Sequence, residues 1–358
     1  MKRFTYFASV ALGLVVLFGI EQGTALAGAQ RASARTSRRP LLLAMWVWNA
    51  EVLTQKEEQT RLFALCKRKG ISLLFVEVGR CFLPADSPSG KPRVTNDELA
   101  QCLRAAHECG LKVHALEGDP HWALAPEHAA VMERLTRALE YNQAVPVQDR
   151  LDGFQFDIEP YLLPGFGTAE RESILRDFLD LIQSLCGMVS DKQPVFALGI
   201  ALPFWLDGES ESGVVTWQAR SQPFTFHAIE QLDTIANGYL AVMVYRDFTE
   251  GADGSIRHAT DEIKYAHEHA KRVRILIGQE TAEVKGDPEK TTFFEEGSAS
   301  LDKAIGELAD AFRPYPRFAG VAIHHYDAYK RWFDAPTTQN PASGTAAHHE
   351  ARILSPHN

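Results

Sequence analysis

From residue 40 onward, short apolar runs alternate with longer segments of helical periodicity. The runs occupy 42–48, 72–78, 112–116, 153–158, 195–201, 239–245, 274–277 and 320–324, and they start about 30 to 45 residues apart. That spacing accommodates one strand, one helix and two loops per unit. The near-continuous apolar character of the runs suits strands covered on both faces, as in a parallel sheet with helices outside. Eight such units close a (β/α)8 barrel, so the pattern predicts an α/β fold, a single-domain TIM barrel over residues 41–335. An open doubly wound sheet is the alternative. It would place a glycine-rich phosphate turn after the first strand, whereas the chain reads Trp46-Val47-Trp48-Asn49 there.

The intervening helices are predicted at 54–69, 95–109 and 168–186, each ending at a glycine (Gly70, Gly110, Gly187) that can adopt the left-handed conformation past a helix. Further helices are predicted near 126–142, 225–235, 259–271 and 298–312. Beyond about Pro336 apolar periodicity is lost, and 336–358 reads as a disordered tail.

The N-terminus follows a different pattern. Lys2 and Arg3 precede an apolar stretch from Phe7 to Ile20 and then Ala25-Leu26-Ala27, the three parts of a secretory signal. Residues 1–27 are therefore expected to be removed and the protein exported, secreted or periplasmic. The stretch is short for a membrane span, which needs about 20 apolar residues, so no stable span is expected after cleavage. Residues 28–40, rich in Arg, Ser and Ala, form a basic flexible leader.

The formal net charge of −9 becomes −10 once Lys2, Arg3 and Glu21 leave with the signal. An acidic surface repels polyphosphate, so nucleic acid is not an expected partner. The five cysteines (Cys66, Cys81, Cys102, Cys109, Cys186) show no CxxC pairing. Four of them fall in helical patterns, where a buried free thiol is expected. A single disulfide stays open for an oxidising compartment. Neither a cofactor nor a metal is expected. Asp119, His121, His324 and His325 lack HxH or HxxxH spacing. The expected state is a monomer.

In a barrel of this kind the reacting groups stand at the C-terminal strand ends. Those ends are acidic and aromatic: Trp46 and Trp48; Glu77 and Arg80; Glu117, Asp119, His121 and Trp122; Asp157, Glu159 and Tyr161; Trp205; Tyr245, Arg246 and Asp247; Gln279 and Glu280; His324, His325, Tyr326 and Asp327. Gathered carboxylates raise one another's proton affinity, which keeps a glutamate protonated near neutral pH. Aromatic faces beside them suit the C–H faces of sugar rings. The most pointed segment is 151–161, where alternation puts Gln155, Asp157 and Glu159 on one inward face of a buried strand. Burying those groups is costly unless they pair or serve a site.

Asp152-Gly153-Phe154-Gln155-Phe156-Asp157-Ile158-Glu159 resembles the fourth-strand DGxDxDxE motif of family 18 glycoside hydrolases, the chitinases and related endo-N-acetylglucosaminidases. The resemblance implies that Glu159 is the general acid and that Asp157 orients a substrate acetamide. Met243-Val244-Tyr245 is similar to the family's MxY segment, which implies that Tyr245 hydrogen-bonds that acetamide. Gln155 stands where the family has its middle aspartate, and His324 where it has a tryptophan under the sugar. A second resemblance, to retaining barrel glycosidases, pairs Glu159 as acid/base with Glu280 as nucleophile, the carboxyls standing about 5 to 5.5 Å apart.

The expected function is thus hydrolysis of O-glycosidic bonds in a polysaccharide or oligosaccharide. Asp157, Glu159, Tyr245 and Glu280 are the catalytic candidates. Trp46, Trp48, Glu77, Glu117, Trp122, Gln155, Tyr161, Trp205, Asp247 and His324 are the substrate-binding candidates. A barrel that binds glycan or a protein partner without turnover is the other class kept open.

Overall fold

The computed structural model describes residues 41–82, 93–208, 213–284 and 289–334. The predicted signal, leader and tail lie outside them. Eight parallel strands close a barrel: β1 (Leu42–Val47), β2 (Leu73–Glu77), β3 (Lys112–Glu117), β4 (Gly153–Phe156), β5 (Ala197–Pro203), β8 (Gly238–Met243), β9 (Arg274–Glu280) and β10 (Phe318–His324). β1 pairs with both β2 and β10, which completes the ring. Between β5 and β8 the chain inserts an antiparallel hairpin, β6 (Val214–Trp217) and β7 (Arg220–Pro223), which is not part of the barrel.

The helices are α1 (Lys56–Lys69), α2 (Asn96–Glu108), α3 (His128–Ala144), α4 (Arg171–Lys192), α5 (Phe224–Leu232), α6 (Ser255–His258), α7 (Thr260–His269), α8 (Gly297–Phe312) and α9 (Tyr326–Asp334). α1 and α2 stop where the sequence predicts, at Gly70 (φ 72°) and Gly110 (φ 76°). α2 opens with a reciprocal cap in which the Thr95 side chain accepts from Glu98 N–H and the Glu98 carboxylate accepts from Thr95 N–H. Gly187, expected to end a helix, lies inside α4. The buried stripe of Ile182, Leu185, Cys186 and Val189 continues past it, and that burial outweighs the cost of about 1 kcal/mol for a helical glycine.

Each strand divides its residues between two cores. Outward positions such as Met45, Val76, Phe154, Ile200 and Val321 join the large core under the helices. Inward positions form a second cluster from Ala44, Trp46, Leu73, Phe75, Leu116, Ala201, Tyr239, Ala241, Leu276, Ala319 and Ala322. Small and large residues interlock there. The Tyr239 ring occupies the space beside Gly199, where an added Cβ would stand 2.0 Å from Cζ. That ring is fixed by stacking on Phe75 (5.8 Å between centroids, 12° between planes) and by a 2.8 Å hydrogen bond between its hydroxyl and His114 Nδ1.

All five cysteines are free, Cys109 exposed and the others buried. Burial pushes the Cys66, Cys102 and Cys186 thiols up to about 12. The possible disulfide is therefore not formed, and Cys109 departs from the expected burial. Among the described residues no helix is long and apolar enough to cross a membrane.

Candidate active site at the barrel mouth

On β4, β9 and β10 the inward alternation includes a polar residue at or near the C-terminal end: Gln155, Glu280 and His324. β4 ends at Phe156, two residues earlier than the sequence pattern predicts, although Asp157 N–H still donates to Glu117 C=O at 3.0 Å. Glu159 precedes a 3-10 turn, Pro160–Leu162, that lifts it from the strand. Asp157 is half-buried, with Oδ1 fully enclosed and without a hydrogen-bond partner among the described residues. Burial pushes its carboxyl up to about 7, and the neighbouring Glu159 charge adds to this. Tyr161 donates its hydroxyl to Oε1 of Glu159 in a short hydrogen bond.

Tyr245 lies just past β8. Burial drives its hydroxyl well above the usual phenol range, and the charges of Glu280, Asp157 and Glu159 push the same way. It therefore keeps its proton and can donate a hydrogen bond. A cavity of about 360 Å3 opens beside it, lined in part by Tyr161, Trp205, Tyr245, Arg246 and Glu280. Tyr161 and Trp205 meet edge to face at 5.3 Å. The structure thus brings four sequence candidates (Tyr161, Trp205, Tyr245, Glu280) to one cavity.

Glu280 is 4% exposed and fully engaged. Oε1 accepts the backbone N–H groups of Thr281 and Ala282, both at 2.7 Å, and Oε2 lies 2.6 Å from His324 Nδ1. These bonds hold its carboxyl below the usual range although burial alone would raise it. The other ring nitrogen of His324 accepts the Trp48 indole N–H at 3.0 Å. Trp48 is half-buried above the barrel interior.

Other candidates are placed elsewhere. Trp46 is 0% exposed, packed edge to face against His324 at 5.7 Å, so it supports the floor from below and cannot meet a sugar. Gln155 is likewise 0% exposed beneath Asp157, with neither amide atom hydrogen-bonded among the described residues. Glu117 belongs to the outward alternation, with Val113 and Ala115, and forms a short ion pair with Arg134 of α3. Burial outweighs that attraction and pushes its carboxyl up to about 7, Glu77 adding to the rise. Glu77 accepts Gly79 N–H at 2.6 Å. Trp122 carries the Arg134 guanidinium over its ring at 4.8 Å, which covers that face. Asp247 sits against Glu296, and burial raises its carboxyl. Gln279 turns outward, donating to Val244 C=O at 2.8 Å. Asp119 and His121 pair with each other at 2.9 Å, and Tyr326 and Asp327 belong to α9. Among the described residues no group of three or more His, Cys, Asp or Glu could hold a metal ion.

Sequence reasoning missed Phe204, Met243 and Thr291 as cavity residues, and Arg246 as more than a strand-end charge. Arg246 bridges Asp253 at 3.0 Å and the Tyr245 carbonyl at 2.7 Å, which anchors the loop carrying Tyr245.

Solved structures share this (β/α)8 barrel. The spore cortex-lytic enzyme SleL of Bacillus megaterium superposes with a TM-score of 0.51 at 13% identity, over 83% of this chain and 74% of that one. A GH18 chitinase of Pseudoalteromonas aurantia gives 0.52 at 10% identity, over 81% and 97%. A family 1 β-glucosidase of Thermotoga maritima gives 0.50 at 10%, over 80% and 88%. At these identities the likeness is one of fold, the (β/α)8 barrel of the GH18-like and family 1 glycosidases. By sequence, no protein-family model and no curated protein matches the chain.

Proposed function

We propose that this protein hydrolyses O-glycosidic bonds, with Glu159 delivering a proton to the leaving oxygen. The observation that carries this reading is one open cavity walled by Tyr161, Trp205, Tyr245 and Glu280, with the Glu159 carboxyl hydrogen-bonded to Tyr161 at its edge. Tyr161 occupies one oxygen of Glu159, so the proton it delivers, drawn from the neighbouring Asp157 carboxyl, passes through the other. Asp157, next to Glu159 and poised near neutrality, orients the substrate group that faces the reacting carbon. For an N-acetylated sugar that group is the acetamide, and Tyr245 donates to it. Oriented this way, the acetamide oxygen attacks the anomeric carbon as the bond to the leaving oxygen breaks, and water later reopens the ring so formed. Export through the predicted signal would place the enzyme where such polymers occur.

A retaining pair of Glu159 and Glu280 is the second reading, since Glu280 lines the same cavity as Tyr161. The three N–H groups that engage both Glu280 oxygens favour an orienting role for it over attack on carbon.

The names of the structural neighbours set the assay panel: chitin oligosaccharides, spore cortex material and aryl β-glucosides. Wild type is expected to release sugar from at least one of them. Glu159→Gln is expected to lower kcat by about 100-fold or more, the range for a positioned acid. Full activity in Glu159→Gln removes Glu159 from the acid role. A wild type that binds a glycan of the panel and cleaves none makes the barrel a binding protein.

A further inference from the structure

We infer that Glu280, His324 and Trp48 form a hydrogen-bonded tether that sets the Trp48 indole as the sugar-stacking floor of the site, with Glu280 and His324 acting as positioning residues. This rests on the glycan-binding reading above. The three come from β9, β10 and the end of β1, strands adjacent in the closed ring.

The chemistry of each partner fixes the direction of every bond. An indole nitrogen only donates, so His324 Nε2, 3.0 Å from Trp48 Nε1, must be the acceptor. The imidazole is therefore neutral, with its proton on Nδ1, which donates to Glu280 Oε2 at 2.6 Å. At the far end, the Thr281 and Ala282 N–H groups also only donate, both to Glu280 Oε1. A carboxylate accepts on both oxygens, so it terminates the chain without conflict. An amide does not. Gln at 280 would turn its NH2 either toward the two backbone N–H groups or toward His324 Nδ1. The first sets donors against donors. The second forces the His324 proton onto Nε2, against the Trp48 N–H.

Two packing contacts keep the tether in place. Trp46 meets the His324 ring edge to face from below, and Tyr245 lies 5.8 Å from it at 31°. The His324 ring is thus enclosed on the strand side, and the indole it holds is the half-buried aromatic group at the end of β1.

The test uses 15N-labelled full-length protein. Long-range proton–nitrogen correlation is expected to show His324 protonated on Nδ1 only, and a Trp48 indole proton that moves when Glu280→Gln is introduced. Chitotriose and cellotriose are titrated against Glu159→Gln protein to avoid turnover, and at least one is expected to shift the Trp48 indole resonance. In that background His324→Gln, whose amide can donate to Glu280 and accept from Trp48, is expected to keep affinity within about threefold. His324→Leu, close to it in volume, is expected to lose about tenfold, the order of one aromatic contact. A His324 proton on Nε2, or a leucine variant that binds as tightly as the glutamine one, overturns the tether. A correct tautomer with no sugar-induced shift at Trp48 overturns the floor assignment. Cleavage by Glu159→Gln with the tautomer intact would sink the acid assignment and leave the tether standing.

Discussion

Asp157→Asn is expected to stabilise the protein by an amount that grows with pH. In the folded chain burial and the Glu159 charge hold the Asp157 carboxyl at about 7, against an ordinary value of 3.8. Below pH 3.8 both the folded and unfolded forms are protonated, and the site costs nothing. Between those values the folded protein keeps a proton that the unfolded chain has released, so stability falls as pH rises. Each tenfold step in proton affinity is about 1.4 kcal/mol, which makes the full cost about 4 kcal/mol above pH 7 and about 1.5 kcal/mol at pH 5. Asparagine cannot ionise and escapes this cost. Its advantage over wild type should grow by about 2.5 kcal/mol from pH 5 to pH 8, or about 3 to 5 °C in Tm for a chain of this size. Urea denaturation of both proteins at pH 5, 6, 7 and 8 measures it. Taking the difference cancels the titration of Glu117, present in both. An increment that is flat or shrinks with pH would refute the argument that Asp157 is held neutral by its surroundings. The same substitution should lower glycan cleavage, so stability and activity move in opposite directions at this position.

Other outcomes follow from the packing. Arg134→Met strips the buried Glu117 carboxyl of its partner and should cost about 3 to 5 kcal/mol at pH 8. At pH 5, where Glu117 holds its proton, the loss should fall to less than half, and adding Glu117→Gln should recover most of it; urea titration at the two pH values decides. Gly199→Ala places a methyl group against a Tyr239 ring that Phe75 and His114 hold in place, so it should cost about 1 to 3 kcal/mol by calorimetry. A second change, Tyr239→Leu, should restore more than half of that, and failure to do so would show that the strain lies elsewhere.

The barrel was legible because its strands are buried on both faces and read as unbroken apolar runs. Each strand of the barrel overlaps a predicted one, with ends displaced by up to three residues. The β6–β7 hairpin was not legible. Its turn uses Gln218 and Ala219 at φ 48° and 62°, without the glycine or asparagine that marks such turns in a sequence. Gly187 misled in the other direction, since a local stop signal was overridden by a buried helix face. At the site, parity along the fourth strand set Gln155 apart from the outward Phe154 and Phe156 because alternation is local, whereas Asp157 and Glu159 lie past the strand's end. Glu117 and Gln279 fall on the outward alternation of their strands, toward the helices, which naming the strand ends alone does not distinguish. The link from Trp48 to His324 spans 276 residues and exists only because the ring closes, so no local pattern could carry it.

The hairpin has a practical consequence. Trp217 donates its indole N–H to Asp180 at 2.8 Å, partway along α4, and Arg220 grips both oxygens of Glu230 at 2.7 and 2.9 Å. Its tip at Gln218 and Ala219 is exposed and lies against the flank of α4. A peptide, dye or surface linker grafted there would leave the barrel on its side with the opening unobstructed, making this the natural handle for immobilising the protein in working orientation.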